Sequence, residues 1–268
     1  MGKEMFLKKP FQVLYKNRKI LVALTKDDIK KKYAGSTLGL VWMFLYPLLF
    51  LLAYAFVYSV VLRIRLEIMT TTEYIMMVFS GLLPFLSFSE MLGTSSMSIV
   101  SNAALLRNTL ITIDTLPVKA VFISQPTQVV GMIFLLVATL IFGTASQYTI
   151  LIVPIWALQM LFNMGIAWLL AALNVAVRDI QTIIPLLSLL LMFISPVAYT
   201  VDMIPAKLRF VMSFNPLYYF ITSYQSVLVL KTVPSLINLL IMVIMSIAVF
   251  YLGYWVFSTM KRILADYV

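Results

Sequence analysis

The chain has 268 residues and a formal net charge of +10, with 62% hydrophobic and only 11% charged residues. Soluble domains carry roughly a quarter charged residues, so this composition excludes an ordinary wetted globule. With no cysteine and no histidine, disulfides, thiol nucleophiles and histidine-based metal or acid–base sites are excluded as well.

Half of the lysines and arginines lie before Tyr33, ahead of the first apolar run. That placement reads as membrane orientation and contact with anionic lipid, not as nucleic-acid binding. At 100° per residue, Leu21, Val22, Thr25, Ile29 and Tyr33 share one side of a helix, with Lys26 and Lys32 at its borders. Residues 1–34 are therefore expected to form an amphipathic interfacial segment, a helix on the cytoplasmic membrane surface. A solvated basic arm is the plainer alternative. The basic stretch is too long for a secretory signal and no small-residue cleavage site follows it, so no cleaved leader is expected.

Residues 35–268 read as an all-α transmembrane domain. About 20 apolar residues suffice for one crossing. Six spans are predicted, at about 38–62, 74–100, 118–143, 150–177, 180–199 and 233–260. The second is apolar in its first half and rich in Gly, Ser and Thr in its second, which favours close helix packing. It contains Glu90, the formally charged residue that lies deep in a predicted span, with no evident cation partner. Such a residue is expected to face the bundle interior or a wet path. Residues 101–117 carry Arg107 and Asp114 and read as a loop crossed by a short helix. Arg178 and Asp179 mark the next boundary, where Asp179 is placed to cap the fifth helix. Residues 200–232 stay apolar, but Pro205 and Pro216 cut them into pieces too short to cross. Two short helices re-entering one leaflet fit this pattern. With the N-terminus inside, fifteen lysines and arginines (Lys119 among them) fall on inner segments and five on outer ones. The bias places both termini in the cytoplasm.

No GxxxxGK[ST] loop occurs, and no spaced pair of intramembrane carboxylates. The chain is expected to be no enzyme: no catalytic or metal-binding residue is assigned. If it pumps, its energy is expected from another subunit.

Four segments carry a resemblance. Tyr33, Ser36, Leu38, Gly39, Trp42 and Pro47 follow a pattern RYxxSxLGxxWxxxxP, with Lys32 in the arginine place. SGLLPFLSFSE over 80–90 follows GLLPWxFFxE, with Phe85 for the tryptophan. Asn174, Arg178, Asp179 and Ile180 follow NvxxRDi; Ser195-Pro196-Val197, Tyr199, Pro205 and Asn215-Pro216-Leu217 follow SPvxY, P and NP. In order and spacing these resemble the membrane subunit of type 2 ABC exporters for polysaccharides, which include O-antigen, capsule and teichoic-acid transporters. The loop departs from the family's NxxLIKKxxFPxExxP at Asn108 and Ile111-Thr112.

The resemblance implies a homodimer of this permease with two ATPase subunits, which would hold ATP and magnesium. Its cargo would be a lipid-linked polysaccharide crossing the bacterial cytoplasmic membrane, O-antigen first. Asn102, Leu105, Leu106, Arg107, Leu110 and Asp114 would form the coupling element, the leucines filling an ATPase groove and Arg107 and Asp114 making ion pairs at its rim. Lys32, Tyr33, Arg178 and Asp179 become candidates for phosphate contact where substrate gains access. Tyr46, Tyr54, Tyr58, Glu90, Tyr199, Tyr218, Tyr219 and Tyr224 become channel candidates, although for each aromatic alone packing or an interfacial belt is the favoured reading. A permease for a drug or lipid, and an ion-coupled carrier or channel, stay open as other readings.

Overall fold

A computed structural model of the protein describes residues 3–57, 61, 69–108, 111–199 and 205–266. Its helices are α1 (Lys3–Lys16), α2 (Arg18–Tyr33), α3 (Trp42–Phe56), α4 (Thr71–Ser96), α5 (Ala103–Asn108), α6 (Thr115–Ile141), α7 (Ile152–Ala176), α8 (Ile180–Ile194), α9 (Ala206–Met212), α10 (Pro216–Leu228) and α11 (Leu236–Asp266). Among the described residues there is no β-strand.

Five helices are long and apolar enough to cross a membrane: α3 with its leading 3₁₀ turn, α4, α6, α7 with its own 3₁₀ turn, and α11. The chain is thus a multi-pass membrane protein. The predicted fifth span is occupied by α8, which is apolar but has only 15 residues. At 1.5 Å per residue it rises about 22 Å, short of a hydrocarbon core of about 30 Å. Two short helices, α9 and α10, occupy the proline-cut region before the last span, as its fragmentation predicts.

Helix α4 is the structural centre. Thr70 and Glu73 start it with a capping box: the Thr70 hydroxyl accepts from the Glu73 N–H, and the Glu73 carboxylate accepts from the Thr70 N–H. In its most apolar stretch 78% of residues are buried inside the chain, against 6% for α3. Met77, Leu82, Leu83 and Met91 on α4 are fully enclosed, and α6, α7, α8 and α10 pack around it. The small residues expected to allow this do so: a Cβ on Gly81 would lie 2.9 Å from Ile221 of α10.

The closest helix pair is α7 with α11. A Cβ added to Gly253 would stand 2.1 Å from the Gly165 carbonyl oxygen, and one on Gly165 would stand 2.3 Å from that of Val249. The two backbones therefore touch without intervening side chains. Trp168, Phe250 and Tyr254 stack below this crossing, with ring centroids 5.2–5.3 Å apart.

The basic segment departs from the single interfacial helix expected. It forms two helices, α1 and α2, meeting at Asn17, whose amide donates to the Val13 carbonyl at 2.8 Å. The expected apolar stripe also divides. Leu21 and Thr25 are buried, Leu21 in the Trp168 cluster, whereas Val22 is 52% exposed. The ends of α6, α7 and α11 offer α2 an apolar seat, so half of the stripe faces protein and not lipid. Between α2 and α3 the chain turns at Gly35 and Gly39, with φ of +79° and +51°, a region that side-chain-bearing residues rarely occupy.

Replacing Gly253 by Val must force α7 and α11 apart. The expected cost is about 1–3 kcal/mol, the usual range for overpacking. Gly93→Ala meets no atom within 4 Å and serves as the control. Thermal aggregation of the detergent-solubilised protein should shift to lower temperature for Gly253→Val alone.

Candidate functional site

A cavity of about 820 Å³ opens between the end of α2, the glycine elbow, the start of α3, and the faces of α4 and α6. Its polar floor is an ion pair. Lys32, in the last turn of α2, places its ammonium 2.6 Å from the Glu90 carboxylate on α4. Glu90 therefore has the cation partner that the sequence did not disclose, because the two residues are 58 positions apart. A carboxylate left bare in hydrocarbon costs about 2.5–3.5 kcal/mol on insertion scales, and this contact removes the need. The Lys32 ammonium also lies 5.4 Å from the Tyr33 ring centre.

The rest of the wall is aromatic and hydroxylic. Trp42 donates its indole N–H to the Ser36 hydroxyl at 3.0 Å, which fixes the ring beside the cavity. Tyr46, 45% exposed, lines the same wall. Thr94 donates to the backbone carbonyl of Glu90 at 2.9 Å, turning its hydroxyl away from the carboxylate. Indole and phenol around one hollow can stack an apolar ring face, and the Lys32–Glu90 pair offers a polar ligand both donors and acceptors. Lys32, Tyr33, Tyr46 and Glu90, assigned from the sequence to two different roles, thus meet in one place.

The other aromatic candidates separate from it. Tyr224 is wholly buried: its hydroxyl donates to Gln159 at 2.9 Å and accepts from Gln128 at 3.2 Å. Tyr219, 8% exposed, donates to the Ser213 carbonyl at 2.9 Å and meets the Tyr218 ring edge-on. Tyr219 and Tyr224 are therefore buried core residues away from this cavity. Tyr54 packs on the core beside α4. Tyr199 donates to the Phe193 carbonyl at 3.1 Å at the far end of α8. Tyr58 and Leu110 lie outside the described residues.

Sequence reasoning missed a buried polar ladder. Gln128 donates to Gln159 at 2.8 Å, and Gln159 donates to the Pro84 carbonyl at 3.2 Å. Nearby, Gln125 accepts from the Trp156 indole at 2.9 Å and donates to Ser87 at 3.2 Å. Glutamines at 125, 128 and 159 inside apolar runs were the available signal, since such groups turn inward in a membrane.

Two corrections fall at the basic end of the bundle. Asp114 is 2% exposed and is held by Lys261 of α11, so it forms no rim contact. The Trp168 indole donates to its backbone carbonyl at 3.0 Å, which locks this corner further. Asp179 precedes α8 but makes no side-chain cap bond; its backbone carbonyl accepts from Thr182 and Ile183 instead. Arg178 and Asp179 are exposed, and neither lines the cavity. Helix α5 does occupy the predicted loop. Leu106 packs against the Trp168 cluster, Leu105 is half-buried and Arg107 is exposed. Asn102, just before α5, accepts from the buried ammonium of Lys119 at 3.0 Å, and Asp28 of α2 pairs with the same ammonium at 2.5 Å.

Burial alone would lower the Lys32 ammonium, but the Glu90 carboxylate outweighs that effect and holds its pKa above the ordinary 10.5. The pair's contribution is thus fully present below 10.5 and is lost only as pH climbs through the raised value. The melting-temperature difference between wild type and Lys32→Met should stay constant from neutral to roughly pH 9. A difference that vanished within that window would contradict the pairing.

Three comparisons bear on what such a chain is. Residues 20–229 match the family described as ABC-2 type transporter. The chain is 27% identical over 256 residues to the O-antigen export system permease protein RfbA of Myxococcus xanthus, covering 94% of this chain and 96% of that protein. It is also 27% identical over 208 residues to a protein of the same name from Klebsiella pneumoniae, covering 77% and 78%. Five membrane-length helices, a short helix in the loop after α4, and a family match across most of the length agree, and the chain belongs to the ABC-2 type transporter family.

Proposed function

We propose that this chain is the permease subunit of an ATP-driven exporter that moves a lipid-linked polysaccharide, O-antigen in the first place, across the bacterial cytoplasmic membrane. The observation that carries the reading is the end-to-end likeness to permeases named for O-antigen export, over 94% of this chain. The cavity supports it. An indole and a phenol beside the Lys32–Glu90 pair suit sugar rings, which stack on aromatic faces and hydrogen-bond to polar groups.

The rest of the cycle is proposed with it. Six crossings are proposed, α8 completing its own with residues 195–199. Residues 200–232, with α9 and α10, re-enter one leaflet. The near-complete burial of α10 supports this, since 13 residues rise only about 20 Å. Both termini lie in the cytoplasm, with residues 1–34 on the inner surface and residues 35–268 forming the permease proper. Two copies enclose the path. ATP and magnesium act in a separate ATPase subunit, which grips α5. Half-buried Leu105 and exposed Arg107 are proposed to meet it, while Leu106 anchors α5 to the bundle.

The test is co-expression with an ABC ATPase subunit from the same organism, followed by purification and glycan export into vesicles. Leu105→Asp should leave the permease folded and cut export about tenfold, the factor given by about 1.4 kcal/mol of lost docking energy. Purification of the permease without any ATPase, or undiminished export from Leu105→Asp, would remove the reading or this docking assignment respectively.

A further inference from the structure

Lys119 lies near the start of α6, 3% exposed, and its ammonium serves two other segments at once. Asp28 of α2 stands 2.5 Å away, and the Asn102 side-chain oxygen 3.0 Å away. Asn102 belongs to the 3₁₀ turn that runs directly into α5, and its amide nitrogen donates to the Ser98 carbonyl at 2.8 Å. A buried ammonium is costly unless fully partnered, and an apolar residue would fill the same space without that cost. The ammonium therefore earns its place through what it joins: α2, α6 and the root of α5.

Asp28 has a further neighbour on α2. Lys32 is four residues on, on the same face, about 6 Å along the axis. It is Lys32 that reaches Glu90 in the cavity. One face of α2 is thus tied at Asp28 to the root of α5 and at Lys32 to the cavity floor. The other partner of Asp28, Lys31, is 3.8 Å away on an exposed side chain and adds little.

We propose that Lys119 is a positioning residue that locks α2 to the root of α5, so that a displacement of α5 reaches the Lys32–Glu90 cavity through one helix face. Its drive rests on the exporter reading; the lock itself does not. The ammonium neutralises Asp28, orients the Asn102 amide and leaves no water-filled gap through which the two elements slip. A pair that only stabilised the fold would lower yield and melting temperature together, with no change in how ATP use follows export.

The chain has no cysteine, so spin labels at engineered cysteines replacing the exposed Ala104 and Lys30 report the α5–α2 distance within one copy when labelled protein is diluted into an excess of unlabelled protein. In the full-length permease in lipid nanodiscs the wild-type background should give one narrow distance distribution. Lys119→Met and Asp28→Asn should each broaden it about twofold or more, a loosening of the scale typical of site coupling. The swap of Asp28→Lys with Lys119→Asp should narrow it again, because the ion pair between α2 and α6 is restored with its charges exchanged. Unchanged widths in both single variants overturn the lock. In the permease–ATPase complex, Lys119→Met should raise ATP consumed per exported glycan about fivefold or more. An unchanged ratio alongside reduced yield would make the contact merely structural and overturn the lever. Where Lys119→Met accumulates poorly, Asp28→Asn, altered at a partly exposed site, answers both questions. Should the wild-type complex export nothing, the exporter reading fails while the label distances still decide the lock.

Discussion

Within hydrocarbon a polar side chain has no water to fall back on, so a partner inside the fold is strongly favoured, and many of the buried polar groups have one, although Asn163 does not. Here that preference organises everything else. The Glu90 carboxylate is met by Lys32, the glutamines of α6 and α7 by each other and by Tyr224, and the Lys119 ammonium by Asp28 and Asn102. Several of these partnerships converge on α4 and α6, which explains why α4 is central and α3 peripheral. A helix bearing glutamate, serines and a bent backbone at Pro84 has to be surrounded. A helix of uninterrupted apolar residues can be left facing lipid.

The same rule separates the two ends of the molecule. At the end carrying α2, α5 and the start of α6, charges are numerous and paired between elements far apart in sequence. Toward the other end the stabilising contacts are aromatic edges, a capping box at Thr70 and an asparagine cap at Asn215, which also donates to Ser195. Ion pairs that are partly dry are sensitive to geometry, whereas aromatic contacts tolerate small shifts. Movement imposed at the charged end is therefore felt as a choice between partners, and at the other end as a gradual repacking.

Much of the fold was legible in the residues. Long apolar runs located five membrane-length helices, the Gly, Ser and Thr content of α4 foretold close packing, and Pro205 with Pro216 foretold two short helices. The short helix after α4 was also legible. Partners distant in sequence were not. Nothing local ties Glu90 to Lys32, Asp114 to Lys261, or Tyr224 to two glutamines, because those pairings depend on which helices are neighbours. Asp179 illustrates a different failure: the residue type and position suit a cap, yet the side chain makes no such bond. For the aromatics, composition cannot separate a core tyrosine such as Tyr224 from one facing a cavity such as Tyr46.

The bare crossing of Gly165 on Gly253 has a mechanical consequence. Where two backbones nest with no side chains between them, axial slippage by one turn would drive the neighbouring leucines and phenylalanines into main-chain atoms. Helices α7 and α11 are thus fixed in register and behave as a single strut. Helices α3 and α8, largely exposed along their lengths, lie outside this strut, which stands as the frame of reference for the rest of the bundle.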